Sequence, residues 1–277
     1  MDVVAYQGEA GAYSEEGALA VFPDAERRPF PSIRKVFEAV EVGRVAAGLV
    51  PLDNSQAGSI NETYDLFLRH GLHLVAETVV RVDHCLLALP GSATDDLDEV
   101  MSHPQAIAQC EEFLSALDVT VRAEYNTAGA AKRIAAERLE RTAAIASKRA
   151  AELYGLEVLA ERIQTYPDNY TRFGVLSRNP EPLDPPDKTA LVFGVGHVSG
   201  SLYRCLGAFA ERHVSLTKLE SRPRPGRPWE YVFYVDADAP ANRQEMVDAL
   251  AALSEHATFT RVLGTYAAAV QRHGPRV

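Results

Sequence analysis

The chain has 277 residues, of which 47% are apolar and 24% are charged, and it carries a formal net charge of −10. This length and apolar content can bury a sizeable core and predict more than one folding unit. The negative charge argues against a protein that tracks nucleic-acid phosphates, because such proteins cluster Lys and Arg. The chain shows no basic leader segment and no apolar run long enough to span a bilayer, so we expect a cytoplasmic protein without membrane contacts.

Residues 1–178 alternate short β-branched runs with helical periodicity, which predicts an α/β domain. The predicted elements of a first lobe (about 1–76) are a strand at Val3–Gln7, helices at Glu15–Phe22 and Ile33–Val42, a strand at Ala46–Val50 and a helix at Ile60–His70. Those of a second lobe (77–165) are strands at Leu74–Val82 and Cys85–Leu89, a helix at Pro104–Leu117, a strand at Thr120–Glu124, a helix at Ala128–Glu140, a strand at Ala143–Ala146 and a helix at Arg149–Tyr154. We expect residues 166–178 to cross back to the first lobe, which leaves a ligand cleft between the lobes.

Residues 179–187 hold four prolines in nine positions, which predicts an extended linker. The segment that follows, 188–277, reads as a ferredoxin-like βαββαβ unit. Its predicted elements are a strand at Thr189–Val195, a helix at Gly200–Arg212, strands at Ser215–Ser221 and Trp229–Val235, a helix at Arg243–Ala252 and a strand at Phe259–Tyr266. The three cysteines are far apart and outside any Cys-x-x-Cys pattern, so we expect reduced core thiols.

A hydroxyl, an amide and a guanidinium precede an apolar strand-like run in the segment 168–176. Thr171 can donate or accept a hydrogen bond, Arg172 suits a carboxylate, and Asn169 tolerates a tight turn, so the segment fits a small anion. On its own, Thr-Arg-Phe at a strand edge is more simply a β-former, a solvated charge and a core aromatic.

Six stretches in a fixed order make the pattern far more specific. They are Gln-Gly-x-x-Gly-Ala-Tyr-Ser at 7–14, Pro-Leu-Asp-Asn-Ser-x-x-Gly-Ser at 51–59, Ser-His-Pro-Gln-x-x-x-Gln-Cys at 102–110, Asn-Thr-Ala-x-Ala-Ala at 126–131, Ala-Ala-Ile-Ala-Ser at 143–147 and Asn-x-Thr-Arg-Phe at 169–173. This series resembles prephenate dehydratase of the monofunctional type. Past the linker, Gly-Ser-Leu at 200–202 and Glu-Ser-Arg-Pro at 220–223 resemble the amino-acid-binding motifs of an ACT regulatory domain. The resemblance covers nearly the whole chain and implies a two-lobed, periplasmic-binding-protein-like catalytic domain followed by an ACT domain.

The resemblance also implies site residues. The hydroxyl of Thr171 assists departure of the substrate's hydroxyl group, and the orienting groups of the catalytic set are Asn54, Asp53, Ser102 and Gln109. Asp53 stands where the family usually has Glu, so this carboxylate reaches less far by one methylene. Arg172 is a candidate clamp for a substrate carboxylate, with a structural ion pair as the alternative. Further substrate contacts are expected from Ser55, Phe173 and Thr127. No metal or organic cofactor is needed for this chemistry.

Regulation and partners follow from the same resemblance. It implies that prephenate is the substrate and that L-phenylalanine binds the regulatory unit at Gly200, Ser201, Leu202, Glu220, Ser221, Arg222 and Pro223. The alternative for the last four residues is that they simply end a strand. We expect self-association through this unit, as a dimer or a tetramer. Two other functions stay open: a lyase that acts on arogenate or otherwise processes prephenate, and a two-lobed ligand sensor that has lost catalysis.

Overall fold

Three β-sheets with flanking helices make up the protein, seen in a computed structural model that describes residues 3–224, 226–227 and 229–269. The ends of the predicted domains, 1–2 and 270–277, lie outside the described residues. Two of the sheets form the lobes of the first domain, and the third belongs to the C-terminal domain. The predicted α/β class and the two-lobed arrangement are confirmed.

The first lobe contains one mixed sheet. Its elements are β1 (Val3–Gln7), α1 (Tyr13–Val21), β2 (Glu26–Phe30), α2 (Ile33–Glu41), β3 (Ala47–Asn54), β4 (Gly58–Ser59), α3 (Asn61–Phe67) and β5 (His73–Arg81). The strand order is β2-β1-β3-β11-β5, where β11 (Tyr170–Ser177) returns from the second lobe and runs antiparallel to both of its neighbours. This return pairs Thr171 with Asn54 and Arg172 with Asp53.

The second lobe lies between two crossing segments that join it to the first lobe. The first crossing segment is 82–84 and the second is 162–169. Its elements are β6 (Cys85–Ala88), β7 (Glu99–Ser102), α4 (Pro104–Gln109), α5 (Glu111–Ser115), β8 (Thr120–Ala123), α6 (Thr127–Glu137), β9 (Thr142–Ala146), α7 (Lys148–Tyr154) and β10 (Glu157–Glu161), with a short 3-10 turn at Thr94–Asp96. The strand order is β10-β6-β9-β7-β8, and β7, β8 and β9 are parallel. The predicted helix at Pro104–Leu117 is interrupted at Cys110, whose φ of −111° and ψ of 20° leave the helical region.

The C-terminal domain has the predicted βαββαβ order. Its elements are β12 (Lys188–Val195), α8 (Ser201–Ala210), β13 (Leu216–Pro223), β14 (Tyr231–Ala237), α9 (Gln244–His256) and β15 (Ala257–Tyr266). All strand pairs are antiparallel, in the order β13-β14-β12-β15, which confirms the ferredoxin-like prediction. Among the described residues, no helix is long and apolar enough to cross a bilayer.

The C-terminal domain packs directly on the first lobe. One apolar cluster contains Leu52 and Tyr64 from the lobe together with Tyr234 and Tyr266 from the C-terminal sheet. At Gly264 the strand β15 comes so close to β5 that an added Cβ would lie 1.8 Å from a carbonyl oxygen of the lobe. The two domains therefore share a core, and side chains of one can reach the functional residues of the other. The three cysteines are buried and unpaired, as predicted.

Candidate active site

The side chain of Asn54, at the end of β3, is fixed by the turn that follows it. Its Oδ1 accepts hydrogen bonds from the backbone N–H groups of Gln56 (3.1 Å) and Ala57 (2.9 Å). This assigns the amide, because the nitrogen must point the other way. Its Nδ2 lies 3.1 Å from Oγ1 of Thr171, which therefore accepts. Among the described residues no group accepts the proton of that hydroxyl, so Thr171 can donate it to a ligand.

Three amide side chains form a closed ring of hydrogen bonds beside this threonine. Nδ2 of Asn54 donates to Oδ1 of Asn169 (2.8 Å), Nδ2 of Asn169 donates to Oε1 of Gln109 (3.1 Å), and Nε2 of Gln109 donates back to Oδ1 of Asn54 (3.3 Å). We call this set the amide ring. Its members come from the first lobe, the second crossing segment and helix α4 of the second lobe. The ring can therefore exist only while the two lobes are closed together.

A buried histidine supports the amide ring from the first crossing segment. His84 is 1% exposed, and its Nε2 lies 2.9 Å from Oε1 of Gln109. Its Nδ1 lies 3.1 Å from the hydroxyl of Tyr13, which is also 2.8 Å from the carbonyl oxygen of Asp83. Burial lowers the pKa of His84 and raises that of Tyr13 well above its ordinary value. Both groups are therefore neutral near neutral pH.

Two cavities between the lobes lie at opposite ends of the Tyr13–His84–Gln109 chain. The one at Gln109 has a volume of about 350 Å³ and is bounded by Gln56 and Ala57 of the first lobe and by Tyr166 of the crossing segment. The one at Tyr13 has a volume of about 520 Å³. Small-molecule sites are typically about 300–1,000 Å³, so either can take a compact ligand.

The remaining side of the cleft is closed by the loop after β1. The Oγ of Ser147 donates to the carbonyl of Gly11 (2.7 Å), and the Tyr154 hydroxyl donates to the carbonyl of Ala10 (2.7 Å). A Cβ at Gly8 would lie 2.9 Å from the side-chain nitrogen of Asn126, which caps α6. The predicted contact residue Thr127 begins that helix, so its first turn faces the first lobe.

Three residues that were predicted to contact the substrate have side chains that contact other parts of the protein. Ser102 is fully buried and donates to the carbonyl of Ile145 (2.6 Å), and Phe173 is 3% exposed in the core of the first lobe. Neither side chain lines either cavity in this arrangement of the lobes, so the structure gives Ser102 and Phe173 packing positions in place of the predicted ligand contacts. Ser55 is exposed, and its Oγ donates to the carbonyl of Asp168 (3.0 Å) and accepts from the N–H of Tyr170 (2.9 Å). It ties the β3–β4 turn to the crossing segment.

The guanidinium of Arg172 is occupied by carboxylates. Its NH1 lies 2.9 Å from Glu77 and 2.7 Å from Asp236 of the C-terminal domain, and its Nε lies 2.8 Å from Asp53. Because side chains alternate along a strand, Arg172 and Asp53 point away from the face that carries Thr171. The predicted substrate clamp is therefore corrected to the alternative, a structural ion pair.

Asp53 is held from the C-terminal domain as well. The ammonium of Lys218 contacts its carboxylate and lies 2.8 Å from Oγ of Ser59 and 2.6 Å from the Tyr64 hydroxyl. The six charged residues joined in this way, the ion network, are Asp53, Glu77, Arg172, Lys188, Lys218 and Asp236. Three carboxylates thus face three cations between the domains. Asp53 was expected to orient the substrate. Its carboxylate instead faces the interface between the domains, so it can act on the substrate only through its chain neighbour Asn54.

The pKa of Asp53 makes the stability of the interface depend on pH. Burial opposes its ionisation, but Arg172 and Lys218 outweigh burial and hold its pKa at about 2, below the value of about 3.9 in unfolded chains. A depressed folded-state pKa stabilises the protein above about pH 4, and this contribution, about 2 kcal/mol, is lost as pH falls towards 2. We expect Asp53→Asn to flatten the pH dependence of the urea-unfolding free energy between pH 5 and 3.

The control for this measurement is Asp98→Asn. Arg141 also lowers the pKa of Asp98, but water screens this exposed pair, so the pH dependence should change much less than in Asp53→Asn. Equal pH dependence in wild type and Asp53→Asn would contradict the prediction. In kinetics, Asp53→Asn should change rate or affinity less than Thr171→Ala does.

The predicted regulatory residues lie at two places in the C-terminal domain. Gly200 precedes α8 with a φ of +80°, a conformation that favours glycine; Ser201 is buried there and Leu202 packs on the domain core. The second stretch, 220–223, ends β13. In it, Glu220 accepts from Oγ of Ser59 (2.7 Å) and Arg222 pairs with Asp65 (3.0 Å). These two side chains therefore contact the first lobe.

The sequence reasoning did not select His84 as a site residue. A usable signal was present, because Asp83 and His84 lie between the predicted strands Leu74–Val82 and Cys85–Leu89. A polar residue at such a crossing lies at the floor of an inter-lobe cleft. Tyr13 lies in the motif at 7–14 without a predicted role, and Asn169 was predicted only as a turn residue.

Comparison with known proteins identifies the family. The family model of prephenate dehydratase matches residues 4–181. The chain belongs to the prephenate dehydratase family. Arogenate dehydratase 1 of Petunia hybrida is 47% identical over 281 residues, which cover 95% of this chain and 66% of that protein. Arogenate dehydratase/prephenate dehydratase 2 of Arabidopsis thaliana is 46% identical, over 95% of this chain and 72% of that one.

Two solved structures share the fold over nearly the full length. The prephenate dehydratase from Arthrobacter aurescens in complex with L-Phe has a TM-score of 0.88 and 30% identity, covering 99% of this chain and 93% of that one. GqqA, described as a novel type of quorum quenching acylase, also has a TM-score of 0.88, with 34% identity and coverage of 98% and 100%. The likeness in fold to these two structures thus includes the C-terminal domain.

Proposed function

We propose that this family member converts prephenate to phenylpyruvate, with loss of water and carbon dioxide, in L-phenylalanine biosynthesis. The observation that carries the proposal is the hydroxyl of Thr171, which accepts a hydrogen bond from Asn54 and keeps its own proton for a ligand. Aromatisation drives the reaction, so the protein need only assist the departing hydroxyl and hold the carboxylate for decarboxylation. A positioned donor of this kind contributes about 10²- to 10⁴-fold in rate.

The substrate enters, in this proposal, through the cavity beside Gln109. Since Arg172 is neutralised by the ion network, a substrate carboxylate needs another partner. We assign this role to the first turn of α6 at Thr127, where backbone N–H groups and the helix dipole favour an anion. Closure of the lobes then excludes water from the reacting carbons, which strengthens each of these interactions.

Arogenate is the second candidate substrate, because the relative at 47% identity is named an arogenate dehydratase and the one at 46% an arogenate dehydratase/prephenate dehydratase. It carries an amine where prephenate has a keto group. The deciding experiment incubates the purified protein with each compound separately. Absorbance of phenylpyruvate measures the first reaction, and amino-acid analysis for phenylalanine measures the second. A kcat/KM higher for arogenate would replace the proposed substrate, and turnover of neither would favour a ligand sensor that has lost catalysis.

We further propose that the C-terminal domain is an ACT domain that binds L-phenylalanine near Gly200–Leu202 and 220–223. The similar protein from Arthrobacter aurescens was solved with L-Phe, and the βαββαβ fold fits. Oγ of Ser59 lies 2.7 Å from the carboxylate of Glu220 and 2.9 Å from that of Asp53, and its one proton can serve either of them. A ligand that moves Glu220 would thus change the contacts of Ser59 with Asp53, the residue that precedes Asn54 in the chain.

Calorimetry and kinetics test this regulation. Allosteric coupling is typically about 1–3 kcal/mol, so saturating phenylalanine should shift prephenate affinity by roughly 5- to 150-fold. No heat of binding at millimolar phenylalanine, together with unchanged kinetics, would reduce the domain to an assembly module. We also propose self-association as a dimer or tetramer, since β13 is an edge strand, and light scattering after size exclusion measures the mass.

A further inference from the structure

We propose that His84 is a positioning residue for the dehydration step: a hydrogen on its Nε2 fixes the orientation of Gln109 and, through the amide ring, the hydroxyl of Thr171. This inference rests on the proposed function, because it concerns the same reaction. His84 touches neither cavity directly and acts only through its neighbours.

The direction of every hydrogen bond in the ring follows from the backbone. Two N–H groups of the turn after β3 point at Oδ1 of Asn54, so Nδ2 of Asn54 is the donor to Asn169. The oxygen of Asn169 is then an acceptor, and its nitrogen must donate to Gln109. The atom of Gln109 that receives this bond is therefore its oxygen, Oε1.

The same oxygen lies 2.9 Å from Nε2 of His84. Two acceptors cannot form a hydrogen bond, so Nε2 of His84 must carry a hydrogen. The Tyr13 hydroxyl donates to the Asp83 carbonyl oxygen (2.8 Å) and lies 3.1 Å from Nδ1, a geometry that accommodates this tautomer when its proton is shared between the two acceptors. The backbone N–H of His84 donates to Gln164 (3.0 Å), which holds the residue in place.

The histidine matters because Gln109 has two possible amide orientations. In the observed one, Oε1 receives hydrogen bonds from Asn169 and His84, and Nε2 donates to Asn54. In the flipped one, the NH₂ group would face both of these donors, and the oxygen of Gln109 would face the oxygen of Asn54. His84 thus raises the penalty for the flipped state, in which the ring is broken and Asn54 is released from the second lobe.

The first test reads the tautomer without any substrate. Full-length protein labelled with ¹⁵N-histidine is studied by long-range ¹H–¹⁵N correlation near pH 7.5, and the His84 signal is assigned by its loss in His84→Gln. We expect a neutral ring with the hydrogen on Nε2. A ring that carries its hydrogen on Nδ1 alone would overturn the proposal. This result does not depend on which substrate is turned over, so it stands apart from failure of the proposed function.

The second test is kinetic. His84→Leu removes the donor and should lower kcat by roughly 10²-fold, a loss typical of a displaced catalytic group, with KM changed much less. His84→Gln keeps an N–H donor at a similar distance and should recover a large part of kcat. The exposed His256 provides the control, since His256→Leu should leave both constants unchanged.

Circular dichroism and urea unfolding accompany each variant. Equal kcat values in His84→Leu and wild type would refute the positioning role. So would a loss of kcat in His84→Gln as large as that in His84→Leu when both variants are folded. If His84→Leu does not fold, the tautomer measurement on wild type and the kinetics of His84→Gln still decide.

Discussion

Thr171→Ala should lower kcat by roughly 10²- to 10⁴-fold while the protein stays folded. The substitution removes the one hydroxyl of the site that accepts a hydrogen bond from Asn54 and keeps its proton available. Stability should change little, because the Asn54 nitrogen keeps the side-chain oxygen of Asn169 and the Tyr170 carbonyl as acceptors. Steady-state kinetics with prephenate and with arogenate, beside a urea-unfolding curve, measure both effects.

Thr171→Ser is the matched variant, since it keeps the hydroxyl and loses only a methyl group. We expect it to retain much more of kcat than Thr171→Ala. Retention of more than about a tenth of wild-type kcat by Thr171→Ala would reject Thr171 as the principal donor. Another group of the cleft would then have to be the donor to the departing hydroxyl.

Arg172→Met should destabilise the protein by about 3–5 kcal/mol, the usual cost of removing one partner from a buried ion pair. The substitution leaves the three carboxylates of the ion network with only Lys188 and Lys218 as cations. The neighbouring carboxylates raise the pKa of Arg172 well above its ordinary value, so the native protein keeps this charge despite burial. Urea unfolding at pH 7 measures the loss.

The control is Arg141→Met, which breaks an exposed pair with Asp98 and should cost about 0–1 kcal/mol. The comparison also decides between the two roles of Arg172. A substrate clamp would raise KM and leave the unfolding free energy nearly unchanged. An ion pair between domains does the reverse, and an unchanged unfolding free energy would show that the network does not hold the domains.

Most of the fold was predictable from periodicity, but β2, β4, β7 and β10 were not predicted; β4 has only two residues, and β7 is a buried interior strand of only four. β2, Glu-Arg-Arg-Pro-Phe, escaped prediction because it is a charged, exposed edge strand that is held by its pairing with β1. β10 is likewise an edge strand with exposed ends. The break at Cys110 cannot be read from apolar spacing, since both halves of the predicted helix keep apolar residues on one face.

The site was predictable in part, from residues at the ends of elements: Asn54 ends a strand, Gln109 ends a helix and Thr171 lies near the start of a strand. Asn54, Gln109 and Thr171 do meet at one place. The sequence could not show which face of a strand a residue takes relative to a distant domain, so Arg172 and Asp53 were expected in the cleft, although their partners Asp236 and Lys218 lie in the C-terminal sheet. Ser102 failed as a contact because its hydroxyl satisfies a buried carbonyl of the neighbouring strand.

The close approach at Gly264 has a consequence for how this protein can be divided. With β15 pressed on the backbone of β5 and with tyrosines of both domains in one apolar cluster, the catalytic lobes cannot be excised without exposing Tyr64 and Leu52 to water. We therefore expect a fragment that ends at the proline-rich linker to aggregate and to be poorly soluble. For this chain the smallest autonomous folding unit includes both domains, and melting should proceed in one cooperative transition.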